Sequence, residues 1–334
     1  MKAIKKLVRL VSGIIDIFLR PSHGAFHAEE IRLRKKYYQE GDDGRACRPG
    51  VVVMVDGRTM HGGMSDRLRG MASLYGYCKQ RGIPFYIHHT YPFALQDYLL
   101  PNEVNWLMTE GEVSYCTAKA QPVVLMLHLI PSKLHRMYLR HLFRHEAWRH
   151  RQFHIYSNTL LDDVHYDANF HALFAPAPDL ARAVGRECEA MGTHGFVGVV
   201  LRFQQLLGDF DEGDYAVLPE EKRGPLIDKC LARIEEIHAR HNDGCQVLVT
   251  SDSRTFLDTA QSRLPYVHII SGKMVHMDYS AHAGYATYMK SFVDMLALSH
   301  ASRIYLLRTG QMYKSGFAFR AAAINGVPYE YIDF

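Results

Sequence analysis

A basic and an acidic side chain each follow an apolar run in the second half of the sequence. The run Phe196–Leu201 is followed by Arg202, and the run Gln246–Thr250 is followed, one serine later, by Asp252. Strands of open parallel sheets present ligand-binding groups at their carboxyl ends. The planar guanidinium of an arginine can bind two phosphate oxygens at once. The pattern therefore predicts a site for a phosphate-bearing ligand, with a surface arginine in a structural ion pair as the alternative.

Two glycine-containing turns stand where an apolar run gives way to a helical pattern. The first contains Gly62 and Gly63, and the second contains Ser315 and Gly316 just before Phe317. Backbone N–H groups at a helix start can bind an anion, so both turns are candidate phosphate sites. For the first turn, a glycine needed only for its backbone dihedrals is the alternative. Its spacing is not the G-x-G-x-x-G of dinucleotide-binding folds.

Apolar runs and helical patterns alternate along the chain, which predicts an α/β fold. Strands are expected at Val51–Val55, Ile83–Ile87, Val123–Leu127, Phe196–Leu201, Gln246–Thr250, Val267–Ile270, Arg303–Leu307 and Pro328–Ile332. Helices are expected after Gly63 and at Ser132–Gln152, Glu220–His241, Thr287–Ser299 and Phe317–Ile324, with an interdomain loop at Asp163–Pro178. These patterns predict an N-terminal segment at 1–48 and Rossmann-like domains at 49–180 and 181–334.

Composition excludes several classes of protein. The net charge of +4, with no long basic run in the middle of the chain, favours an anionic ligand and predicts no nucleic-acid partner. The six cysteines include no C-x-x-C pair, which is typical of a reduced intracellular protein without a zinc site. The 20 histidines do not form ligand-spaced clusters, so no metal is expected.

The segment Met1–Arg20 is basic and amphipathic. Four cations stand among its first nine residues, and apolar residues fill most of the rest. It lacks the roughly 20 unbroken apolar residues of a membrane span and the small-residue cleavage site of a signal peptide. The pattern predicts a cytoplasmic protein whose N-terminal helix contacts the anionic inner face of a membrane. A helix packed on the protein's own core fits the pattern equally well.

In order and spacing, the motifs resemble those of the fucosyltransferase superfamily that includes α1,2-, α1,6-, nodulation and protein O-fucosyltransferases. Val200–Phe203 stands in the place of its H-x-R-R motif, and Thr250–Ser253 in the place of its S/T-D turn. Asp294–Ser299 matches a D-x-x-x-L-S helix, and Ser315–Ala322 matches the serine-containing turn with small residues after it. Gly62–Leu68 is similar to the G-G-x-G-[ND] turn before the first long helix.

This resemblance, as to a divergent bacterial-type member, implies a GT-B glycosyltransferase with two Rossmann-like domains facing a cleft. Such an enzyme transfers fucose from GDP-fucose, or another sugar from a GDP-sugar, to a glycan acceptor. The resemblance implies inversion without a metal or a cofactor, the nucleotide sugar being a co-substrate. It also implies that Arg202 binds the β-phosphate and supports the leaving diphosphate. Fixed cations and helix N-termini can stabilise that charge where magnesium is absent.

The resemblance implies further site residues around the donor. Asp252 is expected to orient the ribose or the base edge, and Asp294 to fix the neighbouring loop. The other expected donor-site residues are Ser315, Gly316 and Phe317 at the helix start, with Gly62, Gly63 and Asp66 from the other domain.

The sequence departs from the family motifs at three positions. Val200 replaces the histidine and Phe203 the second arginine of H-x-R-R, and Ser65 replaces the glycine before the acidic residue of the first turn. A catalytically silent nucleotide-sugar-binding or scaffold protein of the same fold is therefore the alternative. A Rossmann-type oxidoreductase is disfavoured by the missing G-x-G-x-x-G.

The general base is not assigned by the sequence. Asp209, Asp211 and Glu212 follow Arg202 in an acidic loop and are candidates. A general base needs hydrogen-bond reach to the acceptor hydroxyl, and ordinary solvated loop carboxylates are the alternative.

Overall fold

The structure is a computed structural model of the 334-residue chain. It describes Val11 and residues 28–44, 47–127, 132–144, 147–161, 163–192, 195–210, 215–241, 244–280 and 282–334. The amphipathic helix expected at Met1–Arg20 lies outside the described residues except for Val11, as do Asp211 and Glu212. No helix in the described ranges combines the length and the hydropathy of a transmembrane span.

Strands and helices alternate through the described residues. The strands are β1 (Gly50–Val55), β2 (Phe85–His89), β3 (Leu99–Pro101), β4 (Ala120–Leu125), β5 (Gln152–Ser157), β6 (Phe174–Pro176), β7 (Phe196–Leu201), β8 (Gln246–Ser251), β9 (Val267–His268), β10 (Ile304–Arg308) and β11 (Tyr329–Asp333). The helices are α1 (Ala28–Tyr37), α2 (Met64–Lys79), α3 (Ser132–Phe143), α4 (Tyr166–Leu173), α5 (Pro178–Ala190), α6 (Glu220–His238), α7 (Arg254–Arg263), α8 (Tyr285–Leu298) and α9 (Phe317–Ile324). Short 3-10 turns occur at Leu95–Asp97, Glu110–Glu112 and Ala147–Arg149.

The chain divides into two compact units, neither of which is continuous in sequence. The N-terminal unit comprises Met1–Gly62, Asp66–Leu95 and Pro101–Ala175. The C-terminal unit comprises Gly63–Ser65, Gln96–Leu100 and Pro176–Phe334. The chain therefore passes between the units several times.

A four-stranded parallel sheet forms the centre of the N-terminal unit. Its order is β2-β1-β5-β4, and Val53 of β1 pairs with Ile87 on one side and Ile155 on the other. Every residue of β1 is buried, as expected for a parallel strand covered on both faces. Because the strands are parallel, their carboxyl ends lie at one edge of the sheet, which is where α/β folds place their ligands.

The helix expected at Ser132–Gln152 is correct only as far as Phe143. The strand β5, which follows it, was missed because its sequence Gln-Phe-His-Ile-Tyr-Ser contains polar residues that are nevertheless buried. His154 Nδ1 is 2.6 Å from the Tyr38 hydroxyl, and its Nε2 is 2.9 Å from Gln152 Oε1. Burial lowers the pKa of His154 to about 3, so the ring is neutral.

The loop expected at Asp163–Pro178 is also wrong. The segment contains the helix α4 and the strand β6, and Pro178 begins the next helix, α5, where proline needs no N–H partner. Buried aromatic residues such as Phe170 fix α4, and the Trp106 indole N–H donates to the carbonyl of Leu173 at 2.6 Å. The Pro-Ala-Pro sequence therefore marks a helix start instead of a linker.

The C-terminal unit is built on a five-stranded parallel sheet in the order β11-β10-β7-β8-β9. The predicted strands and helices of this half are confirmed, with ends shifted by a few residues. The central strand, β7, is buried at every residue and pairs with β10 and β8. The segments that follow β7, β8 and β10 are consequently brought together at the carboxyl edge of the sheet.

Gly70 and Gly185 are both inside helices and provide a matched test of packing in the N-terminal and C-terminal units. A Cβ atom at Gly70 would lie 2.2 Å from the carbonyl oxygen of Ser157, whereas a Cβ atom at Gly185 would meet nothing within 4 Å. Gly70→Ala should therefore lower the free energy of unfolding by at least about 1–3 kcal/mol. Gly185→Ala should raise it by about 0.4–1 kcal/mol, because alanine reduces the entropy of the unfolded chain. Urea unfolding measures both, and equal effects would contradict the close approach at Gly70.

Candidate functional site

Arg202 lies immediately after the central strand β7, at the carboxyl edge of the C-terminal sheet. Its Nε is 3.2 Å from Asp252 Oδ2, and the Arg202 side chain is 17% exposed while that of Asp252 is fully buried. The guanidinium carbon is 4.8 Å from the centre of the Phe210 ring. The predicted cation and carboxylate are thus brought together, and the ion pair that was the alternative reading is also present.

The Asp252 carboxylate holds the backbone that follows Arg202. Its Oδ1 accepts from the Phe203 N–H at 2.8 Å, and its Oδ2 accepts from the Gln204 N–H at 2.7 Å. Gln204 has a φ of 55°, which non-glycine residues adopt rarely. Burial raises the pKa of Asp252, while the charge of Arg202 and these two N–H groups lower it. In this structure Asp252 positions the turn that carries Arg202, and its expected contact with the ribose or base stays a prediction.

A second carboxylate joins the same loop to the segment after β8. Asp209 is exposed, yet its Oδ2 accepts from the Ser253 hydroxyl at 2.8 Å and from the Thr255 N–H at 2.7 Å. The Ser253 oxygen in turn accepts from the Phe256 N–H, so both side chains cap the start of α7. Asp209 therefore has a structural function, and its candidacy as the general base stays a prediction.

The loop between β10 and α9 lies beside Arg202. The Tyr313 N–H donates to the carbonyl of Arg202 at 3.0 Å. Two residues later, the Ser315 hydroxyl oxygen accepts from the Phe317 N–H at 3.2 Å, and Gly316 is the N-cap of α9. The predicted helix-start cradle of Ser315, Gly316 and Phe317 is therefore near Arg202, although the Phe317 N–H already has a partner.

The first glycine turn is divided between the two units. Gly62 has a φ of 81°, and the Arg67 Nε donates to its carbonyl at 2.9 Å, so the backbone conformation explains this glycine. Asp66, in the same N-terminal unit, pairs with Arg69 at 2.8 Å. Gly63 belongs with Ser65 to the C-terminal unit and has no positive φ.

Asp294 is not at the edge with Arg202 but inside helix α8. It is fully buried, and both of its oxygens are 2.5 Å from the Lys290 ammonium. Burial raises its pKa, and Lys290 lowers it. The stem of Lys290 lies against the following loop, because a Cβ atom at Gly272 would be 3.2 Å from Lys290 Cδ. The expectation that Asp294 fixes a neighbouring loop stays a prediction, with Lys290 as the connecting side chain.

A polar cluster at the carboxyl edge of the N-terminal sheet was missed by the sequence analysis. Asp56 directly follows β1, and its Oδ2 accepts from the Tyr156 hydroxyl at 3.0 Å and lies 3.5 Å from Arg58 Nε. Burial raises the pKa of Asp56, and burial lowers the pKa of the adjacent His61 to about 3. The rule that selected Arg202, a charged residue directly after an apolar strand, would also have selected Asp56.

Metal ligands were searched for in the same way. Among the residues that the structure describes, no group of three or more histidine, cysteine or acidic side chains is arranged to hold a metal ion.

Solved structures of fucosyltransferases are similar to this chain. Fucosyltransferase NodZ from Bradyrhizobium is 14% identical, with 86% of this chain and 96% of that chain covered and a TM-score of 0.57. NodZ α-1,6-fucosyltransferase soaked with GDP-fucose is 13% identical, with 86% and 95% covered and a TM-score of 0.57. A mutant of Arabidopsis thaliana FUT1 in complex with GDP is 14% identical, with 98% and 79% covered and a TM-score of 0.54.

No family model and no curated protein sequence matches the chain. The structural similarity confirms the α/β fold class: the chain has the parallel-sheet architecture of GT-B fucosyltransferases. The resemblance inferred from the motifs is confirmed at the level of the fold.

The role of Asp252 as a positioning residue is tested by Asp252→Asn. The asparagine amide would turn an NH2 group toward one of the two backbone donors or toward Arg202, and the opposite charge would be lost. We expect the free energy of unfolding to fall by about 1–3 kcal/mol. Asp258→Asn is the control, because Asp258 pairs with Arg254 where both side chains are more than half exposed, at 54% and 57%. Equal melting temperatures for the two variants would contradict the positioning role.

Proposed function

We propose that the protein is an inverting, metal-independent glycosyltransferase. It transfers fucose from GDP-fucose, or another sugar from a GDP-sugar, to a glycan acceptor. The observation that carries this proposal is the placement of Arg202 after the central strand of a fucosyltransferase-like fold, held by the buried Asp252. The similar NodZ and FUT1 structures, which were solved with GDP-fucose and with GDP, support a nucleotide sugar as the ligand.

Arg202 binds the diphosphate of the donor in this proposal. As the bond to the sugar breaks, negative charge accumulates on the departing diphosphate, and a fixed guanidinium stabilises that charge without reorganising. Asp252 restricts the guanidinium by its contact with Nε, and the Phe210 ring covers one of its faces. The start of α9 adds the partial positive charge of a helix N-terminus on the same side of the unit.

The departures from the family motif have a physical explanation. Phe203, in the place of the second arginine, is completely buried, and its ring centre is 4.9 Å from that of Phe256. Val200, in the place of the histidine, is buried within β7. Both positions contribute to the core, so in this chain Arg202 is the cation of the motif. This difference favours a second candidate function, a nucleotide-sugar-binding protein without transferase activity.

The two candidate functions are separated by assaying binding and transfer together. A transferase should bind GDP in a thermal-shift assay and release GDP from GDP-fucose when a glycan acceptor is added. Stabilisation by GDP with no turnover on any acceptor or water would favour the binding protein. A cytoplasmic location and peripheral contact of residues 1–20 with an anionic membrane complete the proposal.

Arg202→Lys tests the diphosphate role. Lysine keeps the charge but lacks the planar fork, so we expect the transfer rate to fall about 30- to 1000-fold, equivalent to about 2–4 kcal/mol. Arg254→Lys is the matched control, since Arg254 is 57% exposed in an ion pair on α7 and should retain full activity. Melting curves accompany the assay. Full activity of Arg202→Lys would contradict the role, and a loss of the fold would assign Arg202 to a structural ion pair.

Metal independence is tested with a chelator. We expect transfer from GDP-fucose to continue at an unchanged rate in excess EDTA, because side-chain and helix charges, and no divalent ion, stabilise the leaving diphosphate. The measurement is the initial rate of GDP release with and without EDTA. Loss of activity that manganese restores would disprove this part of the proposal and bring the acidic loop around Asp209 back into consideration as a metal site.

A further inference from the structure

His276 lies in the long loop between β9 and α8 of the C-terminal unit and is half-buried. Its Nδ1 is 3.3 Å from the backbone N–H of Asp278, which can only donate. The Nδ1 atom therefore accepts, and in the neutral ring the proton is on Nε2. The ring of Tyr279 packs on the imidazole with centroids 5.0 Å apart, which restricts its orientation. His276 thus presents an oriented Nε2–H donor.

The Nε2 atom faces the glycine turn. A Cβ atom at Gly63 would lie 3.7 Å from His276 Nε2. Neither a positive φ nor a close contact requires glycine at this position, so the absence of a side chain keeps space in front of Nε2. Two residues further on, Ser65 Oγ lies 3.9 Å from the position of a Cβ atom at Gly316, the N-cap of α9.

These contacts form a continuous path from His276 to Arg202 within the C-terminal unit. The segment Gly63–Ser65 contacts both the His276 ring and the start of α9. The loop that leads into α9 is bonded to Arg202 through the Tyr313 N–H. A guanidinium, a helix start and an imidazole N–H donor are therefore adjacent along one chain of contacts. All three are hydrogen-bond donors that suit phosphate oxygens.

We propose that His276 is a second binding residue for the diphosphate of a nucleoside diphosphate, donating from Nε2 to a phosphate oxygen. The inference rests on the proposed function and deepens it, because it adds a donor that the motifs did not assign. It also gives the chain a second phosphate donor, although Phe203 occupies the place of the second arginine and packs in the core.

Three variants of His276 test the proposal by isothermal titration with GDP. In His276→Gln the amide nitrogen is as many bonds from Cα as Nε2, so it can supply the same donor. In His276→Asn the amide nitrogen reaches only the position of Nδ1, and His276→Leu has no donor. We expect Asn and Leu to weaken GDP binding about 10- to 100-fold and Gln to retain most of the affinity. His300→Gln is the control, because His300 is exposed at the opposite edge of the sheet, in the turn before β10.

A second titration uses guanosine, which has no phosphate. The affinity for guanosine, measured by competition, should be the same in all variants. An equal loss for guanosine and GDP would show a structural role and overturn the proposal, as would GDP affinity that is unchanged in His276→Leu. In both cases wild-type binding of GDP leaves the proposed function standing. If the wild-type protein binds neither GDP nor GDP-fucose, the proposed function fails and the inference fails with it.

Discussion

Two successive backbone N–H groups bonded to one buried carboxylate determine the geometry around Arg202. Asp252 accepts from Phe203 and Gln204 and also faces the guanidinium, so three donors compensate a carboxylate that has left water. A buried carboxylate without such partners would be strongly destabilising. The same bonds hold Gln204 in the left-handed region, which turns the chain sharply after β7. The position of the cation therefore depends on a side chain from the neighbouring strand end.

This arrangement changes which groups can meet a phosphate. In dinucleotide-binding folds, bare N–H groups at the turn after the first strand bind the pyrophosphate. Here the two N–H groups after β7 are bonded within the protein, and the Phe317 N–H is bonded to Ser315. Anion recognition at this edge consequently relies on side-chain donors. This is consistent with a sequence that lacks the glycine spacing of the dinucleotide fold.

The sequence predicted the elements whose interior is uniformly apolar and mispredicted those whose buried residues are polar. Strands β7, β8 and β10 were found because their residues are apolar on both faces, and their order placed Arg202 beside Asp252. Strand β5 was missed because the burial of His154 depends on Tyr38, a residue more than a hundred positions away. His276 carried no signal, because its loop has no periodicity and its neighbours are set by the tertiary fold. Side-chain partners of this kind follow from long-range contacts, which a local pattern does not encode.

The interrupted makeup of the C-terminal unit has a consequence for modularity. The segment Gln96–Leu100 belongs to this unit although about 75 residues of the N-terminal unit separate it from Pro176. Within it, Tyr98 is almost completely buried, stacks on Phe292 at 4.8 Å and on Tyr285 at 5.0 Å, and donates its hydroxyl to the Tyr285 carbonyl. A gene fragment encoding only 176–334 would lack this ring and expose the aromatic residues that it covers. Recombination between related genes at the apparent midpoint of this chain would therefore exchange an incomplete module, and compatible halves must have evolved together.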